Sequence, residues 1–192
     1  MKQIIIAAAI VVIPAFMSSG EPAKVELGVG DKAPLFQARD DADKDFDSRV
    51  YLGKQNLVVY FYPAAMTGGC TAQACSYSAG KKQFQDLDTI VVALSGDPVQ
   101  NLAWFKQAHD LKIPLLADPD GSIAKAFGVP FGRGGEIVRK VAGKDEKLVR
   151  GVTTARWTFV IDKKGKIAYK NTSVQAGKDS KEVLAFLEKQ KR

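Results

Sequence analysis

Histidine and cysteine are scarce in this chain: one and two in 192 residues. A single histidine, His109, excludes an HExxH site or any multi-histidine metal centre. It also leaves no ready Ser-His or Cys-His pair unless His109 is the partner. Two cysteines, Cys70 and Cys75, exclude a disulfide-dense scaffold and a four-cysteine zinc site. No internal repeat or low-complexity tract is present. Beyond the first twenty residues no apolar run approaches the roughly 20 residues of a membrane span. No metal and no cofactor is expected. Chemistry, if any, falls to the cysteines, acids, Arg and Lys.

What is there is ordinary globular composition, with 46% apolar and 26% charged residues. The start differs. Lys2 precedes an apolar stretch over 4–17, then the small residues Ser18, Ser19 and Gly20. This is the order of a secretory signal peptide, with cleavage expected after Gly20. Residues 21–192 are then one exported domain, most simply periplasmic, that touches a membrane only if the leader is retained. Removing Lys2 from the 28 basic side chains leaves 27 against 21 acidic. The excess is scattered rather than clustered, so no nucleic-acid partner is expected.

Residues 28 to 56 read as loop, including the acids Asp40 to Asp47. These lack the glycine and terminal glutamate of an EF-hand, so a solvated loop is expected. The continuous apolar runs 57–62 and 89–94 read as strands buried on both faces. A helix over 71–87, weakened by Gly80, lies between them. Asp97-Pro98 and Asp118-Pro119 resemble helix starts, with each Asp as N-cap. A short strand falls at 113–116. Residues 158–161 and 166–169 flank a Gly-containing turn and predict a β-hairpin. Asp179 is expected to cap a final helix. Alternating strands and helices with a terminal hairpin imply an α/β, thioredoxin-like fold: a mixed central sheet flanked by helices. The charged segment 131–155 reads as a solvated loop, with a docking surface as the other reading. His109, Trp104, Phe105 and Trp157 read as surface or packing residues.

The informative stretch runs from Pro63 to Cys75, between a buried strand and a helix, where open α/β sheets place their sites. Cys70 falls in or just before the first helical turn, where unpaired N–H groups and the helix dipole favour negative charge on sulfur. Gly68 and Gly69 permit close approach of backbone amides. The Thr67 hydroxyl can bond the sulfur or an incoming oxygen. Residues five apart on a helix have Cα atoms roughly 8–9 Å apart, and a disulfide needs less than about 7 Å. Cys70 and Cys75 therefore join only if the first turn unwinds, or if the segment is never helical. The first reading is redox-active and the second structural.

Pro63-x-x-x-Thr67-x-x-Cys70 after an apolar-aromatic strand resembles the peroxiredoxin motif. Cys75 resembles the resolving cysteine of the Q-type, or bacterioferritin-comigratory, subgroup of the AhpC/TSA family. Residues 29–34, 115–121 and 126–129 resemble other family segments. Arg156 to Asp162 resembles the strand that carries the family's arginine. The resemblance implies a thiol peroxidase acting on hydrogen peroxide and organic hydroperoxides. In it Cys70 attacks, Arg156 holds sulfur and peroxide oxygens, and Thr67 orients the peroxide. The N–H groups near Gly69 and Cys70 stabilise developing charge, Pro63 shields the sulfur and Cys75 resolves. A thioredoxin-like dithiol is the implied reductant, and a monomer the implied state. Two departures stand out: Gly68 occupies the family's usual proline position, and Gln73 a frequent glutamate position. The rival readings are an exported thioredoxin-fold protein of disulfide exchange or copper delivery, and a non-catalytic domain with a structural disulfide. The four residues between the cysteines do not match the C-x-x-C of exchange enzymes.

Overall fold

The structure, a computed structural model, describes residues 25–191. The leader expected over residues 1–20 lies outside them. No helix among the described residues is long and apolar enough to cross a membrane.

Strand β3 (Asn56–Phe61) is the centre of the sheet. Its β-branched and aromatic side chains suit a pleated buried ribbon. Side chains alternate, so Val58 and Tyr60 face one layer while Leu57, Val59 and Phe61 face the other. Both faces are covered, which is why the run is continuously apolar; each of the fully buried Val58, Val59 and Phe61 contributes roughly 1.5–3 kcal/mol. The neighbours of β3 are β4 (Thr89–Ser95), parallel, and β8 (Trp157–Ile161), antiparallel. Outside them lie β5 (Leu115–Ala117), parallel to β4, and β9 (Ile167–Asn171), antiparallel to β8. A hairpin of β1 (Gln37–Asp40) and β2 (Asp45–Asp47) closes the β5 edge, giving a mixed seven-stranded sheet.

The Tyr60 face packs against α1 (Gly68–Ala79), α2 (Lys81–Asp86), α3 (Val99–His109) and α5 (Asp179–Lys191). The opposite face packs against α4 (Ser122–Ala126) and the segment carrying Phe36 and Phe46. The expected strands, the β8–β9 hairpin and the helix order are all present. The single helix over 71–87 is two helices meeting at Gly80.

Several local expectations are corrected. Residues 28–56 are not plain loop, since they contain β1, β2 and a 3-10 turn at Ser48–Tyr51. Their acids are built into the fold. Asp40 Oδ1 accepts the N–H groups of Ala42 and Lys44, and buried Asp41 receives Lys106 Nζ at 2.9 Å and Leu115 N–H at 2.8 Å. Segment 131–155 is not a solvated loop but a separate two-stranded ribbon, β6 (Phe131–Val141) and β7 (Lys144–Thr154). Its turn residues Ala142 and Gly143 both have positive φ, as the turn geometry that matches strand twist requires.

Asp97 does not cap α3. Pro98 occupies that position, and the Asp97 carboxylate turns back to accept Ala65 N–H (2.8 Å), Ser95 Oγ (2.9 Å) and Asn101 Nδ2 (3.0 Å). Asp118 is not the N-cap of α4 either: Gly121 holds that position and Pro119 lies outside the helix, while the Asp118 carboxylate reaches forward to accept the N–H groups of Ile123 and Ala124 at 3.0 and 2.8 Å. Asp179 is the first residue of α5 but is fully buried, its carboxylate committed to other elements.

The β6–β7 ribbon lies across the carboxyl ends of β3 and β4. Thr154 Oγ1 donates to Tyr62 O (3.0 Å), Gly151 N–H to Gly96 O (2.9 Å) and Asn101 Nδ2 to Val149 O (3.0 Å). Gly96 is required by this contact, because a Cβ there would collide with the Val152 carbonyl.

Candidate active site

Beyond β3 the chain passes through Tyr62 and half-buried Pro63 into a short loop, then into α1. Three ties fix that loop. Ala65 N–H donates to Asp97, Thr67 Oγ1 donates to Ala64 O (3.0 Å), and Arg139 Nε from β6 donates to Met66 O (2.9 Å). Met66 sits at φ 61°, an uncommon conformation for a side-chain-bearing residue, and the Arg139 contact holds its carbonyl there. Thr67 is the N-cap of α1, with extended backbone and no side-chain capping bond. Its hydroxyl is turned into the loop, onto Ala64, rather than onto the sulfur.

Cys70 is the third residue of α1 and is 2% exposed. Cys75 lies on the same helix, half-buried, and both are free thiols. Arg156 stands just before β8. Because Trp157 pairs with Phe61 across β3–β8, Arg156 is carried to the carboxyl end of β3, beside the start of α1. Its Nη2 lies 3.2 Å from Cys70 Sγ, and its Nη1 donates to Gln73 Oε1 at 2.5 Å. The exposed Gly69 borders the same guanidinium: a Cβ there would stand 3.5 Å from Nη2. Both the guanidinium and the start of α1 attract negative charge to the buried sulfur. Of the predicted site residues, Cys70, Arg156 and Gly69 are therefore brought together. Thr67 and Pro63 flank them on the loop, and Cys75 lies further along the helix.

A second layer was not legible as such. Gln73 is fully buried, and its Nε2 donates to Asp179 Oδ2 at 2.8 Å. The same oxygen receives Tyr77 OH (2.7 Å) and Thr158 Oγ1 (2.8 Å). The Tyr60 ring stacks on Tyr77 at 4.7 Å. Burial pushes the phenols of Tyr60 and Tyr77 well above their ordinary range, so both are neutral at physiological pH. An aspartate at a helix start has the signature of a cap, which is what the sequence predicts for Asp179. Nothing in the local sequence tells its burial. His109 is exposed and packs edge-on against Phe105 (5.5 Å), away from this site. Trp157 packs under Lys170, whose Nζ lies 4.7 Å from the ring centre.

Residues 29–170 match the AhpC/TSA family. Peroxiredoxin Bcp of Bacillus subtilis is 33% identical over 141 residues, covering 73% of this chain and 82% of that protein. The chloroplastic peroxiredoxin Q of Suaeda salsa is 32% identical over 165 residues, covering 85% and 69%. Among solved structures, peroxidoxin BcpB of Mycobacterium tuberculosis superposes with a TM-score of 0.71 at 31% identity, over 85% of this chain and 98% of that one. The mixed sheet flanked by helices is the thioredoxin-like frame of these peroxiredoxins. The chain belongs to the AhpC/TSA family, on its Bcp/peroxiredoxin Q side.

Proposed function

We propose that this protein is a thiol peroxidase for hydrogen peroxide and organic hydroperoxides, with Cys70 as the attacking thiol. The observation that carries the reading is the 3.2 Å approach of Arg156 Nη2 to the buried Cys70 Sγ. The Cys70 thiolate attacks the terminal peroxide oxygen. An S–O bond forms and the O–O bond breaks; sulfur loses two electrons, and the leaving oxygen departs as alcohol or water after taking a proton. Arg156 holds sulfur and peroxide oxygen with its fixed donors, and the N–H groups at the head of α1 meet charge developing on oxygen. Thr67, whose hydroxyl now bonds Ala64 O, would turn that hydroxyl to orient the incoming peroxide.

Cys75 then attacks the sulfenic acid, forming the Cys70–Cys75 disulfide and releasing water. Spacing on an intact α1 forbids this bond, so the head of the helix must unwind first. Both cysteines lie on one helix, so a single chain can complete the step, which supports a monomeric cycle. A thioredoxin-like dithiol returns the disulfide to two thiols and is itself oxidised. The leader-like composition of residues 1–20 supports an exported, periplasmic setting, where that dithiol must also be present.

The test follows thiol loss by stopped flow after mixing reduced protein with substoichiometric hydrogen peroxide. Wild type is expected to lose thiols rapidly, Cys70→Ser not at all, and Cys75→Ser to stop at a trappable sulfenic acid. Equal, slow loss in all three overturns the reading.

A further inference from the structure

Arg156 holds the sulfur with one nitrogen and leans on a neutral amide with the other. An amide is a poor anchor for a cation unless its polarity is fixed. Oxygen must face the guanidinium, and the amide nitrogen must find an acceptor elsewhere. Among the described residues, both ends of Gln73 are satisfied with Oε1 toward Arg156 and Nε2 toward Asp179 Oδ2. The carboxylate is acceptor-only, so it dictates that orientation. It is itself fixed by Tyr77 from α1 and Thr158 from β8, the two elements that carry Cys70 and follow Arg156. Three donors converge on Oδ2, while buried Oδ1 has no partner among the described residues. Leaving a buried carboxylate oxygen unpaired is costly, and such groups call for a reason beyond packing.

We propose that Asp179 is a positioning residue of the peroxidatic site, acting through Gln73 to hold Arg156 on the Cys70 sulfur. This rests on the reading of Cys70 as the reacting thiol. The carboxylate has thus been moved one bond network away from the arginine: Gln73 transmits its orientation without placing its negative charge against the thiolate. Two effects of Asp179 oppose one another. Through space, its charge resists a second negative charge on Cys70; by positioning, it secures the cation that favours that charge. Removing it therefore moves the sulfur's titration in opposite directions under the two accounts.

Other titratable groups near Asp179 leave the experimental window clear. Tyr60, Tyr77 and Tyr169 are all raised by burial above the ordinary tyrosine range. Lys178, Lys181 and Glu182 at the start of α5 are exposed. Cys75 is removed by measuring in a Cys75→Ser background.

The experiment is the pH profile of iodoacetamide alkylation of Cys70 between pH 5 and 9, with the peroxide rate measured in parallel. Asp179→Ala is expected to raise the alkylation midpoint and slow peroxide reduction at least tenfold. Gln73→Met is expected to do the same, and the double variant to be no worse than either single one, as one pathway requires. The decisive arm is Gln73→Glu. In wild type it sets two carboxylates against each other and slows the reaction. In the Asp179→Ala background it restores the rate, because a carboxylate has no donor end to misplace. A lowered or unmoved midpoint in Asp179→Ala, or no rescue by Gln73→Glu, overturns the proposal. If Asp179→Ala does not fold, an unmoved midpoint in Gln73→Met overturns it alone. Peroxide consumption that survives Cys70→Ser sinks the peroxidase reading instead, while the alkylation profile still reports on Asp179.

Discussion

At the scale of the residue, Arg156 does two things that only a guanidinium can do at once. Nη2 reaches the sulfur and Nη1 reaches Gln73, from one rigid plane. A lysine keeps the charge but is a compact ammonium on a flexible stem, unable to span both contacts in fixed geometry. Arg156→Lys is therefore expected to lose peroxide rate on the order of tenfold or more, within the range for removing one preorganised contact. Arg156→Ala should lose more still and shift alkylation of Cys70 to higher pH. Stopped-flow rates of the two variants decide the matter: a lysine variant at wild-type speed would mean that charge alone suffices.

At the scale of the element, α1 has to be stable enough to seat Cys70 and weak enough to open. Gly68 and Gly69 begin it, both exposed, and each costs a helix about 1 kcal/mol relative to alanine. The geometry of Gly68 would accept proline. It is the first helical residue, where the missing N–H matters least. Thr67 before it is at φ −106° and ψ 149°, the region a residue preceding proline prefers, and a Cβ at 68 meets nothing within 4 Å. Gly68→Pro is expected to stabilise the reduced protein by about 0.4–1 kcal/mol, read as a Tm rise of about 2–4 °C at most. The same stiffening should slow formation of the Cys70–Cys75 disulfide relative to sulfenic acid formation. A lowered Tm would show that the head of α1 is not built as described.

The elements also show what sequence could and could not disclose. β3, β4 and the β8–β9 hairpin announce themselves because both-face burial writes unbroken apolar runs and a glycine turn. The Cys70–Arg156 pairing was available from motif resemblance, and the β3–β8 register explains it. The β6–β7 ribbon was hidden: three glycines interrupt β6, its charges look like loop, and its Ala142–Gly143 turn lacks the usual Asn or Asp signal. The roles of Asp97 and Asp179 are hidden from the sequence for a different reason. An aspartate before a helix looks the same whether its carboxylate caps that helix or binds residues far along the chain. For Asp179 those partners are Tyr77 and Gln73, 102 and 106 residues away, and only the folded sheet brings them near.

At the scale of the whole molecule, the packing of tyrosines into the core on the Tyr60 face of the sheet makes stability sensitive to alkali. Tyr60, Tyr62 and Tyr77 are at most 1% exposed, and burial pushes each phenol well above its ordinary value of 10. Tyr51 and Tyr169 are raised too, with weaker burial behind the shift. The sign follows from proton counting. Above pH 10 the unfolded chain releases these phenolic protons while the native state retains them, so the native state binds more protons and stability falls as pH rises. The three buried phenols are fully stabilising below pH 10. Above it each withdraws about 1.4 kcal/mol per pH unit until its native-state value is reached. Exposed surface pairs such as Lys82–Asp86 and Lys140–Asp145 contribute little to stability. Tyrosinate absorbance is therefore expected to rise in two stages, Tyr51 and Tyr169 first in the folded protein, then Tyr60, Tyr62 and Tyr77 together with loss of far-UV circular dichroism. The urea midpoint should fall steeply from pH 10 to 11. Five tyrosines titrating together near pH 10, with circular dichroism intact, would mean that the helix-side core admits water where the packing of Tyr60 on Tyr77 says it does not.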